Sequence, residues 1–154
     1  MKYQHILFDF DGVLAESNEI RFNGFRKLLK DYPQDQVEQL VQYAKANGGV
    51  SRYKKIIFFF NVIRKEPISS KSVDDWAEQF YKLVKSDVTE ARPVKGSLDF
   101  LKKYFNHFDF AIVSGSDQKE LREVCKDRGI DHFFKSILGS PVEKKIILPP
   151  CYLI

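Results

Sequence analysis

The stretch that decides the fold is Ile6-Leu7-Phe8-Asp9-Phe10-Asp11-Gly12-Val13-Leu14. A short apolar run ends in two aspartates, one residue apart, and then a glycine. Side chains alternate faces along a strand, so Asp9 and Asp11 share a side if the strand continues that far. Gly12 marks the change from strand to loop, which sets both carboxylates at the strand's carboxyl end. In an open α/β sheet that is where ligands bind. Two acids there can hold a divalent cation; one can attack phosphorus while the other moves protons. The ordinary reading of the same residues is a strand end with two solvated acids and a turn glycine.

Composition bounds the rest. The 154 residues can bury one good core with a small appended subdomain. A hydrophobic share of 44% and a charged share of 30% argue for a soluble globular protein rather than a disordered one. The net charge of +4 suits an anionic substrate, but the lysines are scattered with no basic block. That distribution reads as a solvated basic surface, not as a face for nucleic acid. Cys125 and Cys151 form neither a zinc pattern nor a disulfide framework, which fits a reducing cytoplasm. The N-terminus does not read as a signal peptide, and the strongest apolar run, 56–63, is broken by Asn61 and too short to span a bilayer. No membrane partner is expected.

Along the chain, a first strand at 6–10 precedes a long helical stretch. Phe25, Leu28, Leu29 and Tyr32 fall at helical spacing, as do Val37, Leu40, Val41 and Ala44. Asp35 and Glu38 form a candidate capping box for the second of these helices, and Asn47-Gly48-Gly49 stops it. A third, very aromatic helix is expected over 51–65, ended by Pro67. A fourth carries Val73, Trp76, Ala77, Phe80 and Val84, with Ser72 as its candidate N-cap. After Pro93-Val94-Lys95-Gly96 the pattern alternates: a short helix from Ser97, a strand at 108–113 ending in Ser114-Gly115-Ser116, a helix capped by Asp117 and Glu120, and a strand at 136–138. A further strand is expected at 152–154. Such alternation implies a parallel sheet with helices on its faces.

Asp9-Phe10-Asp11-Gly12-Val13-Leu14 resembles the first motif of the haloacid dehalogenase (HAD) superfamily, Asp-x-Asp-Gly-[Thr/Val]-Leu. The helical insertion straight after the first strand resembles the family's helical, C1-type cap, and Pro93 to Gly96 resembles its return to the core. The resemblance implies an α/β fold: a Rossmann-like parallel sheet over 1–14 and 93–154, incomplete at its C-terminal end, with an α-helical cap inserted at 15–92. Val113-Ser114-Gly115 resembles the second motif, whose hydroxyl and neighbouring amides hold phosphoryl oxygens. Gly139-Ser140-Pro141-Val142-Glu143-Lys144-Lys145 resembles the third, which supplies a lysine; Lys144 is preferred by spacing and Lys145 is the alternative.

The cap-like stretch Asn47 to Lys55 enters a helix with Ser51, Arg52, Lys54 and Lys55 in its first turn and resembles cap segments of phosphoglycolate-phosphatase-like members. Arg52 and Lys55 are its candidates for gripping substrate, against the reading of a solvated first turn. Glu16 and Ser17 occupy the first linker, where they either touch substrate or cap the next helix. The tail 146–154 contains no Asp or Glu, so the family's fourth motif, Gly-Asp-x-x-x-Asp, is missing and the chain resembles a shortened member.

Carried onto this sequence, the resemblance implies a magnesium-dependent phosphatase of small phosphorylated metabolites. Asp9 is the expected nucleophile and Asp11 the expected general acid and base. Phe10, Gly12, Ser114, Gly115 and Lys144 are the expected phosphate ligands, and Asp9 and Asp11 the expected metal ligands. Two alternatives stand beside it: a phosphomutase of the β-phosphoglucomutase type, and a non-catalytic remnant lacking the fourth motif. Oligomeric state is left open by the sequence.

Overall fold

The computed structural model describes residues 4–140. Strand β1 (His5–Phe8) runs parallel to β2 (Asp109–Asp117), with Phe8 opposite Ile112. On its other side β2 runs parallel to β3 (Ser136–Ser140), which gives the order β1-β2-β3. Parallel neighbours need long crossovers. The first carries helices α1 (Asn18–Leu28), α2 (Gln34–Ala46), α3 (Arg52–Phe58), α4 (Ser70–Glu90) and α5 (Ser97–Tyr104); the second carries α6 (Gln118–Asp127). The chain forms two compact units, one from residues up to 17 together with those from 88 onward, the other from residues 18–87. The strand expected at 152–154 lies outside the described residues.

The α/β unit is built around Phe10, Leu101, Phe110, Ile112, Leu121 and Cys125, each at most 1% exposed. At roughly 1.5–3 kcal/mol for each large apolar side chain removed from water, this cluster dominates the unit's stability. Phe8 meets the edges of Phe100, Phe110 and Phe134 at 6.1, 5.1 and 5.9 Å between centroids, so β1 is fixed to its neighbours by rings as well as by the ladder. Asp117 caps α6, its Oδ1 accepting from the amides of Lys119 and Glu120. Leu121, Val124 and Cys125 turn inward from that helix. Burial pushes the Cys125 thiol up to about 12.

In the helical unit, Val37, Leu40, Val41 and Ala44 are all buried along α2, as their spacing predicts. The Asp35–Glu38 capping box does not form. The residue before α2 is Pro33, which makes no side-chain cap, and Glu38 instead takes Arg26 in a two-pronged pair at 2.6 and 2.9 Å. Two charge-assisted bonds outweigh the one a capping box offers that carboxylate. Ser72 does not cap α4 either; Ser69 Oγ accepts from the Ser72 amide at 3.2 Å, while Ser72 lies inside the helix.

The aromatic helix expected over 51–65 is two pieces. Ser51 caps α3, and a wider π-helical turn covers Phe59–Ile63 before Lys65 takes a left-handed φ of 58°. The turn accompanies dense ring packing: Phe58 stacks on Tyr43 at 3.8 Å, Phe59 and Phe60 meet Tyr32 at 5.4 and 5.7 Å, and Phe60 meets Trp76 at 5.7 Å. Gly24 on α1 faces α4 so closely that a Cβ there would overlap Val84 Cγ1 and touch the Phe80 ring. No helix among the described residues is long and apolar enough to cross a membrane.

Two outcomes follow from this packing. Gly24→Ala gains about 1 kcal/mol of helix propensity but overpacks the α1–α4 contact at a cost of about 1–3 kcal/mol; urea unfolding should show a net loss of stability, and a gain would mean the helices separate freely. The Cys125 thiol should resist iodoacetamide at pH 8 in the folded chain and react once urea unfolds it, with peptide mapping separating it from Cys151. Because its folded value is raised, the unfolded chain ionises first as pH climbs. The thiol's contribution to stability is therefore complete below the ordinary thiol range and is lost as pH rises towards 12.

Candidate active site

Beyond Phe8 the first strand stops pairing and turns on a single acceptor. The carbonyl of Phe10 receives the amides of Val13, Leu14 and Ala15 at 3.3, 2.9 and 3.2 Å. Gly12 supplies the left-handed φ of 76° that the turn requires, and its amide donates to Ala15 O at 2.7 Å. Phe10, Leu14 and Ala15 are buried by the same turn, which holds half-buried Asp9 and Asp11 on either side of the buried Phe10. The Phe10 amide donates to Asp9 Oδ1 at 2.8 Å. Both amides proposed from sequence for phosphate, those of Phe10 and Gly12, thus have partners within the chain.

Asp11 is held from two sides. Its Oδ1 accepts from Ser17 Oγ at 2.5 Å and its Oδ2 from Ser116 Oγ at 3.3 Å. Ser17 is fully buried and stands just before α1, yet its hydroxyl goes to Asp11 and to Ala15 O rather than to an amide of the helix. Of the two roles open to it in sequence, capping is not the one it plays. The sequence signals Ser116 only through the repeated serine in Ser114-Gly115-Ser116.

That serine reaches Asp11 from an irregular strand. The sequence places the end of β2 at Val113, but the strand runs to Asp117. Val113 is opposite Leu138 and Asp117 opposite Ser140, so four steps on β2 match two on β3. The extra residues form a bulge, and bulges re-aim side chains at sheet ends. Within it Ser114 is 2% exposed and its Oγ accepts from the Ser116 amide at 3.2 Å; the Gly115 carbonyl accepts from Ser140 Oγ at 3.2 Å. The structure therefore brings Asp9, Asp11, Ser114 and Gly115 to the same carboxyl edge of adjacent parallel strands. Lys144 and Lys145 lie outside the described residues.

Arg52 and Lys55 belong to the helical unit. Both open α3 and both are 8% exposed, unusual for cations. The Arg52 guanidinium lies 5.6, 5.8 and 5.8 Å from the rings of Tyr53, Phe80 and Tyr81, within cation–π range.

Among the described residues no group of three or more His, Cys, Asp or Glu side chains gathers to hold a metal. The Asp9 carboxylate and the main-chain carbonyl of Asp11 are hard oxygen donors on one short turn. Such a set fits magnesium, which takes one or two carboxylates and completes its shell with water and substrate oxygens.

A family model described as haloacid dehalogenase-like hydrolase matches residues 6–146. No curated protein matches the chain. Several solved structures share the fold. CbbY from Rhodobacter sphaeroides, as a variant in complex with xylulose-1,5-bisphosphate, aligns with a TM-score of 0.70 at 16% identity over 91% of this chain and 65% of its own. A predicted phosphoglycolate phosphatase from Haemophilus somnus aligns at 0.64 and 16% identity, over 92% of this chain and 64% of its own. The hydrolase YfnB from Bacillus subtilis, bound to magnesium, aligns at 0.62 and 19% identity, over 91% and 66%. At these identities the likeness is one of fold, and the chain spans just under two thirds of the length of each. With the family model running from β1 through the end of β3, the chain belongs to the haloacid dehalogenase-like hydrolases.

Proposed function

We propose that this chain carries the site of a phosphatase acting on a small phosphorylated metabolite through an aspartyl-phosphate intermediate. The observation that carries the reading is the pair Asp9 and Asp11 on one tight turn at the carboxyl end of β1, with Asp11 oriented by hydroxyls from two other segments. Asp9 attacks phosphorus and the bond from phosphorus to the leaving oxygen breaks. Asp11 gives that oxygen its proton. Water then attacks the aspartyl-phosphate, Asp11 takes a proton from it, inorganic phosphate leaves, and the Asp9 carboxylate is restored.

The phosphoryl oxygens need donors that gain strength as charge develops. The Ser114 hydroxyl, the Gly115 amide and the Phe10 amide, the last shifting from Asp9 Oδ1 to substrate, are the candidates in the α/β unit. Lys144, or Lys145 in its place, is the candidate from sequence for the remaining charge. Magnesium, when bound through Asp9 and the Asp11 carbonyl, supplies positive charge between two groups that otherwise repel. In this reading residues 15–92 act as the cap, and Arg52 and Lys55 grip the anionic substrate from it. The cytoplasm is the compartment that suits such a metabolite.

Phosphate release from an aryl phosphate tests the proposal. The wild-type chain should turn over with magnesium and stop with chelator, recovering when magnesium is restored. Asp9→Asn should fall to background. Asp11→Asn should lose about 10²–10⁴-fold in kcat, the range of general acid–base catalysis. A folded, monodisperse chain that releases no phosphate under any metal condition would sink the phosphatase reading.

A further inference from the structure

Arg128 takes no part in the chemistry above, yet it makes the densest set of side-chain hydrogen bonds near the return from the helical stretch. It stands at the C-terminal cap of α6, and the two hydrogens of its Nη1 are shared among three main-chain carbonyls: Val88 at 3.1 Å, Thr89 at 2.7 Å and Ala91 at 2.7 Å. Two of these belong to the last turn of α4, whose carbonyls have no partner within the helix. A cation there also meets the negative end of the helix dipole. The guanidinium is drawn far enough inside that burial pulls its pKa down from the ordinary value, and its Nε is buried with no acceptor. A surface arginine that merely decorates a helix end has no reason to accept that cost.

The segment it holds runs directly behind the Asp9–Asp11 turn. Arg92, next after Ala91, accepts from the Glu16 amide at 2.8 Å. Pro93 bridges Ala15 in antiparallel fashion, and the Val94 amide donates to Leu14 O at 3.3 Å. Ala15 in turn accepts from Gly12 and donates to Phe10 O. A path of contacts therefore runs from the guanidinium through residues 88–94 and 14–16 to the turn that carries both aspartates, all within the α/β unit. We infer that Arg128 is a positioning residue for that turn: it clamps residues 88–91 so that 92–94 hold 14–16 in register. Its structural half stands on these bonds alone; its catalytic half rests on the phosphatase reading.

The test compares the full chain with Arg128→Met and Arg128→Lys by amide hydrogen exchange and by steady-state hydrolysis of an aryl phosphate. Arg128→Met should speed exchange of the Gly12, Glu16 and Val94 amides about tenfold or more, while the amides of β3 keep their protection, as local rather than global opening requires. Arg128→Lys should recover part of that protection, and serves as the informative variant should the methionine form not fold. The kcat of Arg128→Met should drop by about ten- to a hundredfold with little change in KM, since small displacements of reacting groups cost that much. Exchange that rises uniformly along the chain, or stays unchanged at 12–16, overturns the inference. Local exchange with unaltered kcat overturns its catalytic half. A wild-type chain without activity removes the phosphatase reading and leaves the exchange comparison to decide the clamp.

Discussion

Three amides converge on the carbonyl of Phe10, and most of the α/β unit depends on that convergence. It ends the first strand, buries Phe10 completely, and leaves the residues before and after it half-exposed at the sheet's edge. An extended strand would have carried Asp11 onward, away from Ser17. The turn instead returns the chain at Ala15, where the second linker pairs with it at Pro93. A buried main-chain oxygen with this many donors is hard to rearrange piecemeal, because each released amide needs another acceptor. The carboxylates are thus fixed by main chain first and by side chains second.

Side chains then refine what the main chain sets. Ser17 and Ser116 arrive from the first linker and from the bulge in β2, and each takes one oxygen of Asp11. A carboxylate with both oxygens engaged loses rotational freedom before substrate arrives, which is how a reactive group is held near its working geometry. The bulge matters for the same reason. A regular strand would present Ser114 and Ser116 alike to one face; the two extra residues change that spacing, and the Ser116 hydroxyl reaches Asp11 while Ser114 stays buried.

Much of this was legible in the sequence, for physical reasons that differ by element. The β1 turn could be read because Asp-x-Asp-Gly combines an alternation rule with a residue that tolerates positive φ. The burial of Val37, Leu40, Val41 and Ala44 could be read because helical spacing is a local property. The Asp35–Glu38 box failed because Glu38 had a better partner twelve residues away in Arg26, and no local rule sees that contact. Ser72 failed by a single turn of helix, three residues from Ser69. Ser-Gly-Ser has turn composition, so by composition β2 ends at Val113, while pairing of Asp117 with Ser140 on β3 keeps it extended through Ser116. The clamp at Arg128 has no sequence signature at all; it exists only because α6 and the end of α4 meet.

The ring cluster of the helical unit has a spectroscopic consequence. Trp76 is the chain's single tryptophan, and it lies 6.1 Å from Tyr32 and 5.7 Å from Phe60, within the unit formed by residues 18–87. Its emission therefore reports on that unit and not on the parallel sheet. Excitation absorbed by Tyr32 passes to it over a distance far shorter than such transfer needs. The molecule carries a built-in optical label on one of its two halves, and excitation beyond the tyrosine absorption band reads that half alone.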